Sequence, residues 1–336
     1  MDKAHKQTDK IISDIEKRLK AEYTKAVKEV QAEILDYMKR FRIKDNIWRN
    51  EVKNGTKTNK EYIEWRKNQL AVGQRWEDLK NQLASDLHNV NNIAKSITEG
   101  YMPEVYALNF NYSTFQIEAQ SLVDTSFTLY DRQSVERLFR DNPQMLPKPG
   151  KKVSALIAQG KEKLWNKAQL QSVMLQGIVQ GDSIPKLAKR LAVEVGDSNY
   201  KNAVRNARTM ATGTQNGGRL DAYKRAEDLG IELQREWVAT LDQRTRHEHR
   251  LLDGQRVGTN EPFKVDGYEL KFPGDPSAPA HLIYNCRCTT IAQIKGFEID
   301  TRAYRQDPDF KGMTYEEWKQ DKKRKRGGKG NVEANR

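Results

Sequence analysis

The sequence predicts a mainly helical α+β fold: a long N-terminal helical hairpin, further helices, and a small C-terminal α+β domain. Three observations carry this expectation. Apolar residues recur every three or four positions along most of the chain ahead of Ile231, the period changes at that residue, and four prolines (Pro262, Pro273, Pro276 and Pro279) then force irregular backbone. Helices followed by strands make an α+β arrangement.

Taken in order, residues 9–42 carry Ile12, Ile15, Leu19, Tyr23, Val27, Val30, Ile34, Met38 and Phe41 as one apolar stripe on a long helix. The stripe resumes from Val72 through Trp76, Leu79, Leu83, Leu87, Val90, Ile93 and Ile97, while Lys53-Asn54-Gly55-Thr56-Lys57 has the chemistry of a turn. This pattern predicts a hairpin whose helices each reach roughly 50 Å at 1.5 Å per residue, an extended and coiled-coil-like arm. Further helix is expected over 101–142, stopped by Asp141-Asn142-Pro143, with a hinge at 143–152. Beyond the hinge the helical period runs from Leu164 to Val179, and Gly181 stands where a helix C′ glycine would. Ser183 suits an N-cap for a helix through Leu191, and two more helical runs cover 199–213 and 217–229. Leu233 to Trp237 and Cys288 to Ile294 read as short strands. The expected division is therefore an arm at 1–142, a hinge at 143–152, a second domain at 153–300, and a basic, largely disordered tail at 301–336.

Composition excludes several classes. The chain has 336 residues, and 59 lysines and arginines against 46 acidic residues give a net charge of +13, which favours anionic neighbours such as nucleic acid. No window approaches the roughly 20 consecutive apolar residues of a membrane span, so no membrane association is expected. Met1-Asp2-Lys3-Ala4-His5-Lys6 runs directly into a charged amphipathic pattern without an apolar signal core. The two cysteines, Cys286 and Cys288, are too close to clamp a long loop, so the expected setting is a reducing cytoplasm.

The chemistry-bearing residues are concentrated between Trp237 and Cys288, which hold both cysteines and three of the five histidines. Thiolate sulfur and imidazole nitrogen are the ligands that Zn2+ prefers, and four of them could close a small domain with a thin core. Cys286 and Cys288 lead such a set, His249 is third, and His247, His281 or Asp242 is the fourth. Two buried free cysteines beside solvated histidines would give the same sequence, and Cys-x-Cys is a weaker signal than paired Cys-x-x-Cys knuckles. His247-Glu248-His249 lacks the i, i+4 spacing of zinc proteases. A cysteine nucleophile activated by His249 has no identifiable orienting residue. In the plain structural alternative, Asp242, Arg244 and Arg246 fix a loop through ion pairs and turn hydrogen bonds. At the chain's end, Lys322, Lys323, Arg324, Lys325 and Arg326 could contact DNA phosphates without reading bases.

The run from Trp237 through Asp242-Gln243-Arg244-Thr245-Arg246 to His249, followed by Leu252-Asp253-Gly254-Gln255, Pro273-Gly274-Asp275-Pro276 and Asn285-Cys286-Arg287-Cys288, resembles the C-terminal signature of the Mu F-like minor head proteins of tailed bacteriophages, also described as head morphogenesis proteins. Upstream, Gly181-Asp182-Ser183, Ala207-Arg208-Thr209 and Asn216-Gly217-Gly218-Arg219 resemble the lead-in of that family, so the likeness covers about 155–295. His247 and His281 lie outside the pattern. Some relatives carry a toxin or other enzymatic domain after this segment; here a basic tail follows, and no enzyme activity is implied. The resemblance implies a minor component of the head interior that associates with the portal protein, and with scaffolding or major capsid protein, in the host cytoplasm. It also implies a part in procapsid assembly, head morphogenesis or DNA delivery, with the tail against packaged double-stranded DNA. The alternatives are a metal- or thiol-dependent enzyme and a non-specific DNA-binding protein.

Overall fold

The computed structural model describes residues 2–125, 127–146, 161–295 and 312–333, with side chains in the last segment described as far as Lys325. The fold is mainly helical α+β, as the sequence predicts. Its helices are α1 (Lys3–Lys39), α2 (Arg42–Lys53), α3 (Asn59–Leu70), α4 (Gln74–Ser121), α5 (Arg132–Asp141), α6 (Lys161–Val179) and α7 (Ile184–Asp228), before the strands begin. The chain forms two compact units assembled from separated segments: residues 1–15, 98–151 and 205–336 in one, and 16–97 and 152–204 in the other. Each of α1, α4 and α7 supplies residues to both.

In the unit holding residues 16–97, the sequence stripe is the core. Val30, Ile34 and Met38 of α1 pack with Trp76, Leu83 and Leu87 of α4, Leu170, Met174 and Ile178 of α6, and Leu187, Leu191 and Val195 of α7. Not every striped residue is inside: Val72 and Ile93 are exposed. The turn expected at 53–57 exists, with Gly55 at φ +74°, but it joins α2 to α3 instead of joining the two long helices. Thr58 caps α3, accepting from Glu61 N–H while the Glu61 carboxylate accepts from Thr58 N–H, a reciprocal box that fixes the helix start. Buried Asp45 of α2 accepts from Tyr62 Oη at 2.8 Å and pairs with Arg66 at 3.1 Å, holding α3 alongside. Gly181 takes φ +70° after α6, and the amides of Asp182 and Gly181 bond to the carbonyls of Gly177 and Ile178, a Schellman ending.

Two helix boundaries depart from expectation. α4 stops at Ser121, where Leu122 adopts φ +54°, and the helix expected on to 142 is replaced by the separate α5, capped by Asp131 on Ser134 N–H. Conversely, the runs expected to be separate helices over 184–229 are one continuous α7. Gly218 is not a break but a close approach, since a Cβ there would lie 2.8 Å from the Tyr106 carbonyl of α4. Most of the expected hinge lies outside the described residues, after a short 3-10 turn at Pro143–Met145.

The small sheet is antiparallel, with β1 (Leu233–Val238) between β2 (Arg256–Gly258) and β5 (Thr289–Ile294), and Trp237 opposite Thr290. β3 (Phe263–Val265) and β4 (Tyr268–Leu270) form a hairpin across Asp266-Gly267, both at positive φ as a tight primed turn requires. Two short helices, α8 (His247–Leu252) and α9 (Ala280–Ile283), complete this part.

The basic tail is corrected over its described part. Residues 315–333 form α10 (Tyr315–Glu333) where a largely disordered segment is expected from charge. Thr314 and Glu317 make a capping box, and Tyr315 and Trp318 bury against Ala4, Tyr112 and Phe115. Two aromatic side chains one turn apart give this helix an apolar face that the surrounding lysines conceal in a composition count. No helix of the described residues is long and apolar enough to cross a membrane.

Candidate functional site

The motif residues between Trp237 and Cys288 converge on α7 and the sheet. Trp237 is fully buried in β1, edge-on to Phe263 at 5.2 Å and to the His249 ring at 5.8 Å. The Asp253 carboxylate accepts from Ala239 N–H at 2.8 Å, and Gly254, at φ +77°, donates to the Trp237 carbonyl, so the loop between β1 and β2 is closed by one side-chain and one backbone hydrogen bond. Gly274 approaches α7 so closely that a Cβ would meet Gly213 N at 2.8 Å.

Asp242 organises the exposed rim. Its carboxylate accepts from both terminal nitrogens of Arg287, at 2.7 and 2.8 Å, and from Arg244 N–H at 2.8 Å. Hydrogen bonds from Arg287 hold this carboxyl well below the usual range. Thr245 Oγ1 accepts from Asp242 N–H and donates to the Thr240 carbonyl, Arg250 donates to the carbonyls of Asp242 and Thr245, and Arg246 donates to that of Tyr284. The Asp242, Arg244 and Arg246 region is thus a loop fixed by ion pairs and turn hydrogen bonds.

Beneath the rim, His249, Cys286 and Cys288 meet. The His249 Nδ1 lies 3.2 Å from Cys288 Sγ and 3.7 Å from Cys286 Sγ, and its Nε2 lies 2.8 Å from the Leu282 carbonyl. The three ligand atoms all lie within 4.8 Å of one another. Both cysteines are free, and they are 3% and 2% exposed. A hydrogen bond from Cys286 holds the Cys288 thiol well below its ordinary value, while its bond to Cys288 and burial push Cys286 up. Asp242 faces Arg287 and does not join this cluster; His247 and His281 are exposed, His281 against the Tyr268 ring. His247 and His249 have opposite environments, so the triplet provides no shared ligand face. A nucleophilic cysteine would need access that neither buried sulfur has.

Sequence reasoning missed the anchors on α7. Thr209 Oγ1 accepts from Asn285 N–H, Thr212 donates to the Cys286 carbonyl at 2.6 Å, and Asn216 donates to the Cys288 and Pro273 carbonyls while accepting from Thr290 N–H. Asn285 sits at φ +53°, one of the few side chains that tolerate the left-handed region. The signal was the polar pair Thr212 and Asn216, four residues apart on one face of a helix stretch rich in threonine and amide side chains.

Of the basic residues at the chain's end, Lys322 is buried and donates to Glu118 and Asp124, each at 2.7 Å, and Lys325 pairs with Asp124 and Asp321. Lys323 and Arg324 are exposed, and the Arg326 side chain lies outside the described residues. Lys322 is therefore an internal ion-pair partner and not a surface cation.

Residues 168–291 match the family described as Phage Mu protein F like protein. Over that segment the chain is similar to this family. The resemblance read from the signature is thereby borne out over most of its extent. The Minor head protein GP7 of Bacillus phage SPP1 is 26% identical over 328 residues, covering 95% of this chain and 96% of that protein. The NAD(+)--arginine ADP-ribosyltransferase EFV of Enterococcus faecalis (strain ATCC 700802 / V583) is 32% identical over 180 residues, 52% of this chain. The match spans only 36% of that relative's length. No solved structure matches the chain. In the Mu F-like segment the signature residues mainly hold backbone: Asp242, Thr245, Arg246, Asp253, Asn285 and Arg287 are all engaged in loop geometry.

Proposed function

We propose that this chain is a minor head protein of a tailed bacteriophage, associating with the portal during procapsid assembly and acting in head morphogenesis or DNA delivery. The observation that carries the reading is similarity along nearly the whole chain to a protein named as a minor head protein, 95% of one and 96% of the other. The site chemistry supports it. A buried cluster under a loop locked by arginine forks suits a rigid binding module, whereas a reaction centre needs an open position for substrate.

In this reading the partners are the portal protein, scaffolding or major capsid protein, and packaged double-stranded DNA, and the chain acts inside the head after assembly in the host cytoplasm. The two compact units, one holding residues 16–97 and 152–204 and the other the signature segment, are docking modules. Lys323 and Arg324, exposed on α10, face phosphates, and the thiol–imidazole cluster is a structural clasp of the kind Zn2+ forms in small domains.

The test is mass spectrometry of purified heads, with pull-down of portal oligomers by the full chain. The chain in heads at low copy and co-elution with portal are expected; absence from heads overturns the proposal. Substrate turnover by the isolated protein would also overturn it, in favour of the enzyme reading.

A further inference from the structure

We propose that His249, Cys286 and Cys288 together bind one thiophilic d10 cation, Zn2+ or Cu+, and that the ion fastens the Asn285–Cys288 turn to α8. The inference rests on the reading of this domain as a rigid module and supplies the ion, the donor atoms and the structural consequence.

The first argument is the direction of the imidazole. A carbonyl oxygen only accepts, so the Leu282 carbonyl at 2.8 Å from Nε2 fixes the ring proton on Nε2. In the neutral ring Nδ1 then carries the lone pair, and that atom is the one facing both sulfurs. A histidine whose far nitrogen donates to a backbone carbonyl while the near one stays bare is the arrangement found at metal centres.

The second argument is spacing. A tetrahedral ion with bonds of about 2.3 Å to sulfur and about 2.0 Å to nitrogen sets its donors roughly 3.5–3.8 Å apart. The two nitrogen-to-sulfur separations are 3.2 and 3.7 Å, and the whole set fits within 4.8 Å.

The third argument is donor chemistry and support. Two sulfurs and one imidazole select a soft or borderline ion over Mg2+ or Ca2+. The backbone carrying the sulfurs is set independently, by Thr212 on the Cys286 carbonyl and Asn216 on the Cys288 carbonyl. Among the described residues no further histidine, cysteine or carboxylate joins, and Asp242 is held off by Arg287. Three soft donors satisfy Cu+, whereas Zn2+ would add a water or backbone oxygen. Binding releases the thiol protons to solvent and leaves both sulfurs as thiolates.

Burial of all three donors makes the role structural. α8 holds only six residues and could not stay folded alone, so the ion couples it covalently in effect to the turn before β5.

The test uses the full chain, expressed without a metal-binding tag and dialysed against a weak chelator, with metal content read by plasma mass spectrometry. About one equivalent of zinc or copper per chain is expected, and Cys286→Ser or Cys288→Ser should lower it at least about tenfold. Because those variants could misfold, the wild-type chain stripped of metal is also titrated with Co2+. A thiolate-to-cobalt charge-transfer band saturating near one equivalent supports the site; no band, with both thiols reduced, overturns it. Asp242→Asn should retain the ion, and loss of it from a folded Asp242→Asn protein overturns the three-donor assignment. A chain without metal that still enters heads sinks the metal site alone, while a metal-loaded chain absent from heads sinks only the head reading.

Discussion

Asp2 and Arg219, 217 positions apart in sequence, form a buried two-point ion pair, with Arg219 Nη1 and Nη2 at 2.7 and 2.9 Å from the two carboxylate oxygens. Burial alone would raise the Asp2 carboxyl, but the charge and hydrogen bonds of Arg219 outweigh it and hold the group ionised below its ordinary value. Arg219 also donates to Asn109 Oδ1 and to the Thr290 carbonyl of β5, so the residue before α1, the C-terminal part of α4, α7 and the sheet share one guanidinium. Removing the carboxylate leaves that charge buried and uncompensated. Asp2→Ala is expected to destabilise by about 3–5 kcal/mol in chemical denaturation, and Asp2→Leu combined with Arg219→Met to recover much of that loss.

Stability should fall in mild acid because of His5. Burial lowers its pKa from 6.5 to about 4, against the pull of Asp2 and with Arg219 lowering it further. Its Nδ1 accepts from Gln215 at 2.9 Å, a bond that the neutral ring makes. A depressed folded pKa means that the unfolded chain takes up the proton first. The stabilisation is complete above pH 6.5 and is lost as the pH falls toward 4, by about 3 kcal/mol over the shift from 6.5 to about 4. His5→Gln should flatten that decline in urea titrations run across this range; an unchanged slope assigns it to another group.

Docking of α10 should depend on its cap and its aromatic face. Trp318 is buried against Phe115 and donates from Nε1 to Glu118 at 2.6 Å. Thr314→Ala should weaken the helix by about 1 kcal/mol and Trp318→Ala by about 3–5 kcal/mol. Amide hydrogen exchange across 315–325 reads both, and protection surviving in Trp318→Ala would refute the packing.

Lys322 and the pair Lys323 and Arg324 should behave differently toward DNA. Each phosphate contact adds about 0.9 to the slope of log affinity against log salt, so Lys323→Ala with Arg324→Ala should reduce it by about 2. Lys322→Ala should leave the slope unchanged and expose α10 instead, because its ammonium is held by Glu118, Asp124 and the Thr125 carbonyl. Equal slopes in all three proteins would remove α10 from the DNA surface.

Much of this architecture is legible in the sequence where neighbours along the chain decide it. The stripe from Val30 to Met38 is buried as its spacing demands, Gly181 ends α6 in the left-handed region, and the strands read at Leu233 and near Ile294 pair with each other. The capping boxes Thr58-x-x-Glu61 and Thr314-x-x-Glu317 were equally local, and they mark the helices α3 and α10 that the turn and charge readings pass over. At the site, the sequence brings forward His249, Cys286 and Cys288, which the fold does bring together, and Asp242, which Arg287 draws elsewhere.

The sequence by itself determined the helical periodicity, the switch to strands after α7 and the Mu F-like signature, because each depends on residues within a turn or two of one another. Only the tertiary structure decided that Asp2 belongs with Arg219, that Lys322 belongs with Glu118, and that the Leu282 carbonyl turns the bare nitrogen of His249 toward two sulfurs. Those relationships follow from the burial of charge and polar groups, which must find a partner wherever the packed chain places one, however distant in sequence.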